Sequence, residues 1–278
     1  MIVPAKRKLI VPPWRRLITP LRTFARDERG GMVINPYAFG GFRVEAAYFD
    51  GTNDYLTRGA AWTSSADSSV GLLSMWIKFN GADGGRQEIL SWDAQNSKFF
   101  RQTSNAFTAD LTTSQGGNQF RGTTALTAAS GWNHILCAWD YTGTPVRQVY
   151  INDTDVYALL DGGVVGAGAT VDWTATDHTA FATTAASNKL NGDVADFYLN
   201  IAETLDISVS GNRLRFRTAG GKPKDIGADG STPTGNDPIA FFRLRAGESA
   251  SEFATNRGYG GGMTVTGSLT VSATSPSD

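Results

Sequence analysis

The chain has 278 residues, 41% of them hydrophobic, with 32 glycines, 7 tryptophans, 15 phenylalanines and a formal net charge of −1 at neutral pH. That is enough apolar material for a sizeable core, and a composition rich in glycine, aromatic residues, threonine and valine points to β structure. A single cysteine, Cys137, excludes an intrachain disulfide framework, and no apolar run reaches the roughly 18 residues that cross a bilayer.

The charge is concentrated at one end. Residues 1–30 carry eight basic side chains against Asp27 and Glu28, so a total of −1 leaves the remainder at −7. Residues 1–42 also hold Pro4, Pro12, Pro13, Pro20 and Pro36, which disfavour helix and interrupt any stretch that could serve as a signal peptide. The expectation is an extended basic arm on a chain made inside the cell. Phosphate contact would explain its Lys and Arg but not its apolar residues and prolines. A membrane surface would favour an amphipathic helix, which Pro12 and Pro13 spoil. Docking to protein fits best: Val11, Trp14, Leu17 and Leu21 enter apolar pockets while Lys6, Arg7, Lys8, Arg15 and Arg16 meet an acidic rim. No nucleic-acid or membrane partner is expected.

From residue 43 the pattern alternates. "RVEAAYFDGTNDYLTRG" reads as strand, turn, strand, with the turn at Asp50-Gly51 and Asn53-Asp54. "LLSMWIKF" puts Leu73, Met75, Ile77 and Phe79 on one face and Trp76 and Lys78 on the other. "NGADGG" is a loop and "EILSW" a short strand. "GWNHILCAWD" aligns Ile135, Cys137 and Trp139, and "VRQVYIND" sets Val149 and Ile151 against Tyr150. "NGDVADFYL" is apolar on both faces, as expected of a central strand covered twice. Beyond residue 200, "DISVSGNRLRFR" reads as a short helix with Asp206 as N-cap, "IAFFRLRA" as a strand, and "GYGGGMTVTGSLTVS" as one final strand before a frayed "ATSPSD". Short strands at this spacing predict a sandwich.

Four stretches, "YFDGTNDYL", "LSMWIKF", "GWNHILCAWD" with "RQVYIND", and "LNGDVADFYLN", together resemble a laminin-G-like domain of the concanavalin A-like lectin/glucanase superfamily. The resemblance implies an all-β, antiparallel jelly-roll β-sandwich over residues 43–202. It would be flanked by the arm, 1–42, and by a C-terminal extension, 203–278, packing on the sandwich or on a neighbour. In that reading Trp132 and Trp139 pack a long strand, and Asn191-Gly192 turns the chain into the closing strand. Two further stretches, "KPKDIGADGSTPTGNDPIAFFRL" and "GGGMTVTGSLTVSATSPSD", resemble the C-terminal part of laminin-G-like proteins of tailed bacteriophages and prophages. This implies a structural protein of the virion, made in the bacterial host cytoplasm and anchored by its arm to capsid or tail proteins. Decoration of the head exterior is the leading placement, with tail or baseplate next, in a homo-oligomer such as a trimer. The competing reading is a receptor-binding adhesin that recognises a host surface glycan.

The superfamily's glucanases carry a Glu-x-Asp-x-x-Glu strand, and none of Glu28, Glu45, Glu88, Glu203, Glu248 or Glu252 is so spaced, so no enzymatic activity is expected. His134 and His178 show no metal-ligand spacing, and neither a nucleophile elbow nor a phosphate loop is present. Calcium is the one cofactor considered. Asp50, Asn53 and Asp54 offer it oxygens, with Asp193 or Asp196, although tight turns use Asp and Asn for backbone hydrogen bonds anyway. Trp62, Trp92 and Trp173 lie near expected loops, where an indole could stack on a sugar. The alternative is that they fill the inter-sheet space.

Overall fold

The computed structural model describes residues 42–160 and 165–278. The arm residues Lys6, Arg7, Lys8, Val11, Trp14, Arg15, Arg16, Leu17 and Leu21 lie outside the described residues. Among those described, the strands are, in chain order, β1 (Ala47–Asp50), β2 (Tyr55–Arg58), β3 (Val70–Phe79), β4 (Gln87–Trp92), β5 (Ser97–Arg101), β6 (Ala106–Thr113), β7 (Gly116–Ala125), β8 (Asn133–Asp140), β9 (Val146–Ile151), β10 (Thr154–Asp155), β11 (Tyr157–Leu159), β12 (His178–Ala180), β13 (Asn191–Asn200), β14 (Ala240–Phe242), β15 (Thr264–Thr266) and β16 (Thr270–Val271). They form two antiparallel sheets. The first runs β10-β9-β8-β3-β13-β1-β16, with β14 also on β13, and the second runs β11-β7-β6-β5-β4-β12-β2-β15.

Alternation decides which side chains meet between the sheets. Leu73, Met75, Ile77 and Phe79 of β3, Ile135, Cys137 and Trp139 of β8, and Val149 and Ile151 of β9 all enter the inter-sheet core. The other face of the first sheet is partly roofed: Leu72, Leu136, Tyr150 and Tyr198 pack against Ile207, Phe216 and Ile226. Strand β13 lies between β3 and β1, and its two apolar faces feed these two layers. Two glycines are dictated by close approach. A Cβ on Gly71 would sit 2.0 Å from the Trp139 ring, and one on Gly192 would sit 2.5 Å from the Lys78 carbonyl oxygen.

The register of β13 on β3 slips between Ala195 and Tyr198, where Asp196 takes φ 47°. This bulge aims the Asp196 carboxylate at Arg243, just past β14, whose Nε and Nη2 donate to it at 2.6 and 2.8 Å. Both side chains are buried. Burial works against the Arg243 charge, but Asp196 beside it holds the guanidinium above its ordinary pKa.

Several expectations are corrected. The strand, turn, strand read at residues 43–59 is present, with the two strands in different sheets: β1 pairs with β13 and β16, and β2 with β12 and β15, so their turn carries the chain between sheets. The final "strand" is likewise two short ones in opposite sheets, separated by Gly267 at φ +89°. Asn191 and Gly192 lie within β13 rather than in a turn before it. The helix spans only Ser210–Arg213, preceded by extended Val209. Asp206 does not cap it, because its Oδ1 accepts from the Ser208 amide at 3.0 Å and Gln148 Nε2 at 2.9 Å. The C-terminus is not frayed. Ser275 is buried, its Oγ donates to the Val44 carbonyl at 2.5 Å, the Val44 amide donates to Ser277 Oγ at 3.1 Å, and Asp278 pairs with Arg43 at 2.7 Å.

Candidate functional site

The three tryptophans expected at loops are core residues. Trp62, Trp92 and Trp173 are 1%, 0% and 0% exposed, and Trp92 stacks on Trp173 with centroids 4.4 Å apart. Of the two roles the sequence leaves open to them, the indoles take the second and fill the space between sheets, so stacking of Trp62, Trp92 or Trp173 on a sugar is overturned.

Asp50, Asn53 and Asp54 do share one turn, but their oxygens have other work. Asp50 Oδ1 accepts from the amides of Thr52, Asn53 and Asp54 at 2.7, 3.0 and 3.3 Å. Buried Asp54 accepts from the Ser268 amide at 2.7 Å and the Asp50 amide at 3.3 Å, which ties the two sheet-crossing turns together. Among the described residues, no three His, Cys, Asp or Glu side chains gather as a metal site. Asp196 is committed to Arg243, and Asp193 lies 3.6 Å from Lys78.

The five described glutamates are engaged individually rather than paired across a cleft. Glu45 meets Arg43 at 3.1 Å, Glu203 accepts from Asn236 at 2.6 Å, Glu248 pairs with Arg257 at 2.7 Å, and Glu252 accepts from Thr255 at 3.2 Å. Glu88 is fully buried beneath Arg86, whose Nε donates at 2.7 Å, and burial lifts its pKa to about 7 despite that partner. Cys137 is buried, which raises its thiol well above the ordinary range, so it is no nucleophile.

The rest of the first sheet's outer face carries a smaller buried layer, Val44, Ala46, Trp76 and Ala195, with half-buried Trp132 packed against it, and a groove opens beside this layer. Here β3 presents Trp76 and Lys78, and Trp132 enters β8 beside them. Trp132, Asn152, Arg217, Gly221, Lys222 and, from the C-terminal hook, Thr274, Ser275, Pro276 and Asp278 complete a groove of about 510 Å³. Its floor is neutral and stiff. Trp76 lies against His134 with ring centroids 4.8 Å apart. His134 Nε2 shares a 3.0 Å hydrogen bond with Ser74 Oγ, and its pKa is pushed down to about 3, by burial first and then by the nearby Arg217 charge.

One wall is the turn from 217 to 222, closed by the Thr218 amide donating to the Lys222 carbonyl at 2.8 Å. Gly221, at φ +75°, passes close to the Arg217 guanidinium: a Cβ there would lie 3.1 Å from Nη2. The other wall is the C-terminal hook. Half-buried Trp132 and Lys78 both reach Thr274 Oγ1, each at 3.3 Å.

The cations of this groove are incompletely neutralised. Asp153 is shared between Arg213, at 2.6 Å, and Arg217, at 3.2 Å, and these guanidiniums, Arg213 foremost, hold it below the usual carboxylate range. Asp278 is taken by Arg43. Lys222 is exposed and makes no ion pair within 4 Å among the described residues, its nearby carboxylate being Asp278, which is held below the usual range by the Ser275 amide first and then by Arg43 and Lys222. On a body of net negative charge, this is a local positive patch carrying an accessible indole.

Sequence reasoning placed Trp76 and Lys78 away from the core face, but gave Trp132 the same strand-packing role as Trp139, whereas Trp139 is in the inter-sheet core and Trp132 is half-buried on the other face. The signal was there: Trp132, just before β8, and Trp139 within it are an odd number of positions apart along extended chain, so the two face opposite ways. Lys222 and the hook gave no such signal, because loops bring them in.

No protein-family model matches the chain, and no curated protein matches it in sequence. Among solved structures, it is similar to a protein of Bacteroides ovatus ATCC 8483 provisionally assigned to carbohydrate binding. The TM-score is 0.56 at 13% identity, covering 83% of this chain and 60% of that one, so the chain spans less than two thirds of that structure's length. It is also similar to domains LG4-5 of the mouse laminin alpha1 chain, at TM-score 0.42 and 10% identity, over 60% of this chain and 46% of that one. The CBM40 of a Ruminococcus gnavus sialidase, bound to α2,3-sialyllactose, gives TM-score 0.42 and 10% identity, over 60% of this chain and 96% of that one. At these identities the likeness is one of architecture: the chain has the antiparallel jelly-roll β-sandwich fold of lectin-like domains.

Proposed function

We propose that this chain is a non-enzymatic recognition protein of a bacteriophage particle. In this reading residues 1–42 fasten it to other virion proteins, and the sandwich turns a saccharide-binding face toward the host surface. The observation that carries the recognition is the groove of Trp132, Lys78 and Lys222, floored by buried Trp76, on a fold shared with a protein provisionally assigned to carbohydrate binding. The phage setting rests on the resemblance of the two C-terminal stretches, and attachment rests on the arm's mixture of basic and apolar residues. Copies would be arrayed as a homo-oligomer such as a trimer, in keeping with virion symmetry.

Adsorption competition tests this. Purified protein added in excess should reduce adsorption of the phage that encodes it to host cells. No competition, with the protein nonetheless present in virions, would favour the second reading, a structural decoration of the head, which the segregation of charge into the arm also suits. Deleting residues 1–30 should leave a folded body that is missing from purified particles, and normal incorporation would contradict anchoring by the arm.

A further inference from the structure

We infer that the groove beside Trp132 is a site for an acidic saccharide: a sugar ring laid against the indole, with its carboxylate, sulfate or phosphate directed to Lys222 and Arg217. This rests on the saccharide-recognition reading and adds the ligand class and the residues.

Three observations converge. The volume, about 510 Å³, falls within the range of small-ligand sites, and its floor is rigid, because Trp76 is buried against a neutral His134. An indole presents a flat apolar face while its ring nitrogen stays hydrogen-bonded, and Trp132 does this, half-buried with Nε1 held by Thr274. Finally, the cationic side chains outnumber the carboxylates free to neutralise them: Lys222 has no ion-pair partner among the described residues, and Arg217 shares Asp153 with Arg213. Ammonium and guanidinium groups next to an apolar face favour a ligand with an anionic substituent on a ring, and they form charge-assisted hydrogen bonds that a neutral sugar cannot match.

The test is isothermal titration of the full chain with hexasaccharides of polygalacturonate (carboxylate) and of dextran sulfate (sulfate), with neutral maltohexaose and with inorganic phosphate. The acidic oligosaccharides should bind, more weakly as salt rises, and maltohexaose and phosphate alone should not bind measurably. Whichever acidic probe binds tighter identifies the anionic group. K222A, at an exposed position that leaves the fold intact, should weaken binding about tenfold or more. W132F, which keeps the packing but shrinks the platform, should weaken it by several-fold, with an unchanged melting temperature. Equal binding of maltohexaose or phosphate, or acidic binding indifferent to both substitutions, would overturn the inference and leave saccharide recognition standing elsewhere on the body. No binding of any saccharide would overturn both.

Discussion

Replacing Glu88 by glutamine should make the folded chain more acid-sensitive. Glu88 is fully buried and its pKa is lifted from 4.5 to about 7, so the folded chain holds this proton more tightly than the unfolded chain. Its stabilising contribution is complete below the unfolded value and is lost as pH rises through about 7. His134 and His178 act in the opposite sense. Burial pushes them from 6.5 to about 3 and about 4, so their contribution is present above 6.5 and is lost as pH falls. Between about pH 8 and pH 5, linkage gives a loss of about 2 kcal/mol for each histidine and a gain of about 2–3 kcal/mol from Glu88. The unaltered chain should therefore lose only about 1–2 kcal/mol across that range, whereas E88Q should lose about 4 kcal/mol. Urea unfolding followed by tryptophan fluorescence at several pH values measures both curves. Equal losses in the two proteins would refute the reasoning.

Arg243→Met should cost about 3–5 kcal/mol in the same assay, because it strands a buried carboxylate at Asp196; a loss below about 1 kcal/mol would contradict the ion pair's role. Trp92→Ala should cost about 3–5 kcal/mol by emptying the inter-sheet core and leave saccharide affinity per folded molecule unchanged, whereas loss of binding without loss of stability would restore Trp92 as a contact. Asp54→Ala should cost about 1–3 kcal/mol by orphaning two amides, and EDTA should leave the melting temperature of the unaltered chain where it is. A calcium-dependent rise in that temperature would show that the turn holds an ion.

The parts of the fold legible in the sequence were those with strict alternation. From Leu73 to Phe79 in β3 and from Ile135 to Trp139 in β8 every second residue is apolar, which announced their core faces. Strands β5, β6 and β7 gave little signal, because "AFTADLTT" and "GGNQFRGTTA" mix Thr, Gly, Asn and Gln that read equally well as loop. Sheet membership was invisible at β1–β2 and β15–β16, since a tight turn between two short strands looks the same whether it closes a hairpin or crosses a sandwich. Of the candidate site, Trp76 and Lys78 followed from parity alone. Trp62, Trp92 and Trp173 misled because proximity to a loop in sequence says nothing about depth. The hook at Ser275 was missed because its small polar residues look like a tail until Val44 supplies the partners, 231 positions away.

The most direct test of the account is to pass purified host envelope polysaccharide over the immobilised full chain and size what is retained. The account predicts that polysaccharide is held, is released by high salt, and elutes at its original length with no new reducing ends. Polysaccharide that passes through unretained, or that emerges shortened, would contradict it.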